Sequence, residues 1–239
     1  MRKIIILITL LGIMYPGSSM AENTEEPGTI MINLNADAFA GLEFGYQHPI
    51  GISDFNFNVY AKTNFPLFLT LRQQKLDTWE TKFGARSWFV EKQRFLLIGD
   101  LNLFFMRHKQ VLGTFIPVGL KTNFTPAIKT KSGYIGCQIG YKQILGTHIA
   151  HSEQVKESYN DIRDINGNTY KSEPGNGWYA LTGNSINLGL EAKYAFSEKI
   201  DIRFDIGMIQ YISAYTEGFD SMMYGQVPFY MDLQFKFRL

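Results

Sequence analysis

Hydrophobic and polar residues alternate with a period of two along most of the chain. The last segment shows it most plainly. Phe229, Met231, Leu233, Phe235, Phe237 and Leu239 share one parity, while Tyr230, Asp232, Gln234, Lys236 and Arg238 share the other. Successive side chains of a strand point to opposite faces, so this segment reads as a strand with one apolar and one charged face. The pattern recurs through Phe55–Phe65, Trp79–Phe89, Phe95–Phe105, Ile116–Phe124, Ile135–Tyr141, Ile186–Phe196 and Ile200–Met208. Helical periodicity is weak, and beyond residue 21 no run approaches 18 apolar residues.

The connections between these segments alternate in length. Residues 91–94, 127–132 and 197–199 are tight, 66–77, 146–183 and 213–227 are longer, and 108–113 is short for a long-side connection. Short turns at one end and long loops at the other are the pattern of an up-and-down membrane barrel. Within 146–183, Asn166-Gly167 has the chemistry of a type I′ hairpin turn, so this loop is expected to extend two strands outward. If the final strand runs toward the periplasm, parity requires the strand at 40–47 to do so too. Residues 29–38 must then carry the chain up, although no Gly, Pro or Asn-Gly marks a turn between Asp37 and Gly41. The expected fold is all-β: a transmembrane antiparallel barrel of about ten strands, or eight if the first hairpin stays out of the wall.

The N-terminus carries a different signal. Arg2 and Lys3 precede an apolar run from Ile4 to Met14, and Ser19-Met20-Ala21 is a small-x-small site. This is the layout of a cleaved signal peptide over residues 1–21, leaving a barrel domain over 22–239. Of 239 residues, 23 are basic and 22 acidic; losing Arg2 and Lys3 leaves 21 against 22. That balance argues against nucleic-acid binding, which needs surplus cations. The single cysteine, Cys137, excludes an intramolecular disulfide framework.

Alternation alone does not say which face is outward, because a soluble ligand-binding barrel has the same period turned inside out. The charged parity holds both signs: Glu43, Glu80, Asp100, Glu191, Asp205 and Asp232 against Lys62, Lys82, Arg86, Lys121, Lys193, Arg203 and Lys236. An Arg or Lys facing lipid at mid-depth costs about 2–4 kcal/mol. Facing a lumen, these groups can pair, and a barrel of eight to ten strands is narrow enough for side chains to fill. The expectation is an ion-paired lumen network of these thirteen residues and no wide pore.

The terminal Phe235-x-Phe237-x-Leu239 resembles the assembly signal of bacterial outer-membrane proteins, with Leu239 in place of the usual final aromatic. The region after the signal peptide resembles the broad class of small outer-membrane barrels. That resemblance implies location in the bacterial outer membrane, contact with its lipid, and insertion by the barrel-assembly machinery, here as a monomer.

Candidate chemistry is sparse. His148 and His151, followed by Ser152 and Glu153, would share a face on a helical turn and could then bind a metal or form a hydrolase constellation. The plain alternative is a polar loop. His48, at Gln47-His48-Pro49, reads as a turn residue, and His108 reads as a solvated strand end. Asp164–Asn168 opens like a calcium loop, but its glycine is misplaced and its twelfth position is Gly175. No GxSxG, HExxH or phosphate-binding glycine loop occurs, and no cofactor is implied. Trp79, Trp88 and Trp178 read as interfacial girdle residues. Three roles stay open: a non-enzymatic surface or envelope-integrity protein, a rim-active hydrolase or acyl-modifying enzyme, and a narrow channel for small solutes.

Overall fold

A computed structural model describes residues 28–36, 40–52, 55–66, 79–110, 113–153, 176–214 and 229–239. They form ten strands: β1 (Thr29–Ala36), β2 (Ala40–Ile52), β3 (Phe55–Pro66), β4 (Trp79–Lys92), β5 (Phe95–Gln110), β6 (Gly113–Thr130), β7 (Gly133–His151), β8 (Gly177–Ala195), β9 (Ile200–Ala214) and β10 (Phe229–Arg238). Each strand pairs antiparallel with its sequence neighbours, and β1 pairs with β10 to close the barrel. At the seam the Leu239 N–H donates to the Gly28 carbonyl at 3.0 Å, and the Arg238 N–H to that of Lys199 at 2.9 Å. Closure pairs every strand on both sides over most of its length, so no strand is an edge throughout. The signal-peptide segment, the Asn166-Gly167 turn and Asp164–Gly175 lie outside the described residues.

One end carries the tight connections at 93–94, 131–132 and 196–199, the facing ends of β2 at Ile52 and β3 at Phe55, and Gly28 and Leu239. At this turn end the sequence reading needs one correction. His48 and Pro49 are not a turn: β2 runs on to Ile52, with His48 opposite Val59 and Pro49 opposite Asn58. Pairing with β1 starts at Gln47, so β2 is an edge beside Pro49, where a missing N–H is tolerated. The first hairpin does join the wall, as Thr29–Ala36 against Ala40–Gln47, which sets the count at ten rather than eight. At the loop end, β7 and β8 stay paired as far as Ile149 opposite Gly177.

The apolar parity faces outward. Leu190 is 55% exposed and Ile135 58%, whereas Glu191, next to Leu190 on β8, is fully buried. Cys137 lies on the outer face opposite Leu190. Among the described residues no helix is long and apolar enough to cross a membrane; the outward face of the strands is what matches hydrocarbon.

The lumen is not polar throughout. Phe104, Phe115, Ile144 and Ile149 form one buried cluster, and Leu96, Ile98, Ala127 and Tyr134 another. Both sit inside the wall of β5, β6 and β7. Room for such large inward side chains comes from neighbouring glycines: a Cβ on Gly119 would lie 2.5 Å from the Phe104 ring. A bulge in β4 between Trp88 and Val90 sets Trp88 opposite the inward-facing Ile98. Trp88 therefore belongs to the inner mouth at the turn end and not to a lipid-facing girdle. His108 also departs from expectation: it is a buried strand residue opposite Phe115.

Candidate functional site

Strand register places like charges side by side. Lys62 stands opposite Lys82, and Lys121 opposite Lys142. Glu191, Asp205 and Asp232 form an acidic row across β8, β9 and β10. Like charges directly opposite in a ladder are destabilising, so compensation has to come from other strands across the lumen. Two buried carboxylates anchor the compensation, Glu43 for the Lys62 and Lys82 pair and Glu191, from the acidic row, through Arg86.

Glu43 on β2 is the first, and it is 1% exposed. Its Oε1 accepts from Asn33 Nδ2 of β1 and from Lys62 Nζ of β3 at 3.1 Å. Its Oε2 accepts from Lys82 Nζ of β4 at 3.2 Å, and that ammonium also reaches Glu80 at 2.9 Å. Glu43 thus takes donors from three strands and holds two ammonium groups that would otherwise face each other.

Glu191 on β8 is the second. Its Oε1 accepts from Arg86 Nη2 of β4 and from the Tyr134 hydroxyl of β7, and Arg86 Nη2 also reaches the Tyr134 oxygen at 2.8 Å. Its Oε2 accepts from Thr125 Oγ1 at 3.2 Å and from Gln138 Nε2 at 3.1 Å. The Arg86 side chain crosses from β4 to β8, and its Nη1 lies 3.8 Å from Asp100 Oδ2. Asp100 also accepts from the Tyr60 hydroxyl at 2.8 Å. Arg203 pairs with Asp205 at 3.1 Å, and Lys121 lies over the Tyr230 ring at 5.7 Å. Charge-assisted bonds of this kind are the strong class, and a fully bonded carboxylate is the condition under which a buried charge is tolerated.

Two cavities among the described residues lie against the network. A central chamber of about 70 Å³ lies among Lys62, Lys82, Arg86, Asp100, Arg203 and Asp232. A vestibule of about 360 Å³ lies at the turn end, against Gln47, Trp88, Tyr134, Lys193, Asp201 and Lys236. Arg86 and Arg203 line both, so they form the partition between them. Eleven of the thirteen expected network residues enter an ion pair or a bond to a lumen partner; Lys121 enters through its ring contact, and Asp232 keeps a buried Oδ1 with no hydrogen-bond partner. Asn33, Tyr134 and Gln138 were not singled out from the sequence. They are neutral, and only the closed barrel brings them to the carboxylates.

The histidine candidates do not converge. His148 and His151 lie three apart on an extended strand without a bulge between them, so they point to opposite faces. The helical turn that a shared face requires is absent there. His148 meets Trp178 edge-on, with ring centroids 5.3 Å apart. The His151 backbone N–H donates to Asn176 Oδ1 at 2.8 Å, and Ser152 and Glu153 follow at the loop end. Among the described residues no group of three or more His, Cys, Asp or Glu is placed to hold a metal.

No family model and no curated protein sequence matches the chain. Among solved structures, the chain is similar to an outer membrane channel from Pseudomonas putida F1, at a TM-score of 0.46 and 7% identity, covering 94% of this chain and 99% of that one.

Proposed function

We propose that the chain is an outer-membrane barrel of a Gram-negative bacterium with a closed lumen. In this reading it is exported with cleavage after Ala21 and inserted as a monomer by the barrel-assembly machinery. Its role is non-enzymatic, in surface contact or envelope integrity, carried by the loop end that includes 66–77, 146–183 and 213–227. One observation carries the reading: Arg86 spans the lumen to Glu191, whose two oxygens are saturated by four donors. A barrel filled in this way is a rigid plug. Two measurements test it. Cell fractionation should place the chain in the outer membrane with heat-modifiable gel mobility. The purified barrel in planar bilayers should give background conductance. Recovery in the periplasm, or steady open-channel current, would overturn it.

A second reading, a narrow channel, draws support from Arg86 and Arg203 lining both cavities, since only one layer of side chains separates the two. Conductance that appears in Arg86→Ala but not in the parent chain fits a plug; conductance in both fits the channel.

A further inference from the structure

The vestibule at the turn end has a charge imbalance that the plug does not need. Among the described residues, Arg86, Lys193, Arg203, Lys236 and Arg238 line it against a single carboxylate, Asp201. Lys236 stands directly opposite Asp201 in the ladder. Yet Asp201 is already engaged, by Lys193 at 3.0 Å and by Arg238 at 3.2 Å. The Lys236 ammonium donates instead to Gln47 Oε1 at 2.8 Å, and Gln47 Nε2 is itself anchored on Asn58 Oδ1 at 2.8 Å. This neutral chain holds the cation in place without cancelling its charge. On the vestibule's inner wall, Arg203 binds Asp205 through Nη2 while its buried Nε has no partner. Among the described residues, the vestibule of about 360 Å³ is thus lined by an ammonium whose bond is to a neutral amide and by four further cations, a lining suited to an anion.

We propose that the vestibule is a binding site for a small multivalent oxyanion of the phosphate type. Arginine offers fixed forked donors to such groups and lysine a point charge, and both kinds are held here on separate strands, β8, β9 and β10. The cavity is large enough for a phosphate ester and too confined for a polymer. Trp88 lines the same space, so an organic group on the anion meets an aromatic wall. The site does not depend on whether the lumen conducts.

Trp88 also provides the readout. With Trp79 and Trp178 changed to Phe, the refolded barrel (residues 22–239) in zwitterionic detergent has Trp88 as its one tryptophan. Titration with inorganic pyrophosphate at low salt should give a saturable change in Trp88 fluorescence. Lys236→Gln should weaken it about tenfold or more, as losing one partner of a close charge pair does. Lys129→Gln, at the turn end but outside the vestibule lining, should leave it within about twofold. Lys236→Gln removes an uncompensated cation, so its urea midpoint should hold or rise while anion affinity falls. A merely structural lysine would lose stability instead. Absence of a saturable response in the parent barrel, or equal affinities in parent and Lys236→Gln, would overturn the proposal.

Discussion

The two cavities of the lumen differ in volume and in charge, and the two differences are connected. The central chamber measures about 70 Å³ and is lined by five cations and four carboxylates. The vestibule measures about 360 Å³ and is lined, among the described residues, by five cations and one carboxylate. Removing a charge from water is costly unless it is paired and hydrogen-bonded, so the middle can fill only because its signs nearly balance. At the mouth, water solvates the surplus and nothing forces neutrality. The plug is thus a consequence of matched charge between strands far apart in sequence, and the cation-rich mouth is what remains where no match was made.

The largest effect should come from the partition itself. Glu191→Ala leaves the Arg86 guanidinium buried without its main acceptor and strands the donors of Tyr134, Thr125 and Gln138. Removing one partner of a buried pair costs about 3–5 kcal/mol. The measurement is the urea midpoint at which the heat-modifiable folded band disappears. Replacing both partners, Arg86→Met with Glu191→Leu, should recover part of the loss, because neither member of that pair is then left buried alone, while Asp100 keeps only its bonds from Tyr60 and Asn102. If Glu191→Ala unfolds at the parent midpoint, the balance of charge is not what closes the chamber.

The second effect uses the adjacent residue. Leu190 follows the same strand but faces out, 55% exposed beside a fully buried Glu191. Leu190→Arg places a cation against hydrocarbon and should cost about 2–4 kcal/mol in lipid vesicles. In a soluble barrel the same change would be nearly silent, so a small loss would refute the membrane orientation as a whole.

Where the sequence was legible, strong alternation was the reason. β10 and β9 have one apolar and one charged parity, and their lumen residues could be read directly, although β9 runs six residues past Met208, where the alternation is read to end. β5 could not. Its run Phe95–Met106 is apolar on the outer parity and, apart from Asp100 and Asn102, on the inner one too, so the two polar residues mark the inner face but not the buried Leu96, Ile98, Phe104 and Met106 beside them. Trp88 was misplaced for a different reason, since a bulge shifts parity and nothing in the local composition announces it. Pro49 suggested a turn because its tolerance depends on where β1 ends, which is a tertiary fact. The charged members of the plug were legible as a set, but their partners were not: register puts some like charges together, and the pairing of Arg86 with Glu191, four strands away, depends on closure of the barrel.

A third, smaller effect tests how tightly the chamber is packed. The Tyr230 ring lies over Gly189 and Gly207 and donates its hydroxyl to Gln138 Oε1 at 2.9 Å. A Cβ on Gly189 would lie 2.3 Å from that hydroxyl. Gly189→Ala should therefore push Tyr230 off Gln138, and overpacking of this kind costs about 1–3 kcal/mol. The urea midpoint should fall by less than in Glu191→Ala. Gly177→Ala is not a fair control because its φ is +143°, but Gly146→Ala, whose nearest neighbour would be 3.3 Å away, should lose less.

The smallest effect lies outside both chambers. Lys129 and Glu91 form an ion pair at the turn end, with side chains 31% and 59% exposed. It is of the same chemical kind as the pair at Glu191, and only burial distinguishes them. Exposed pairs contribute about 0–1 kcal/mol, because water already solvates both partners and salt screens what is left. Lys129→Gln should therefore shift the urea midpoint hardly at all, and by less still when the salt is raised. Glu191→Ala should keep its full penalty under the same salt, since the buried pair is shielded from mobile ions. If the rim pair matched the buried one, or if the buried one weakened with salt as the rim pair does, water would have to reach Glu191. The central chamber would then be an extension of the vestibule and not a seal.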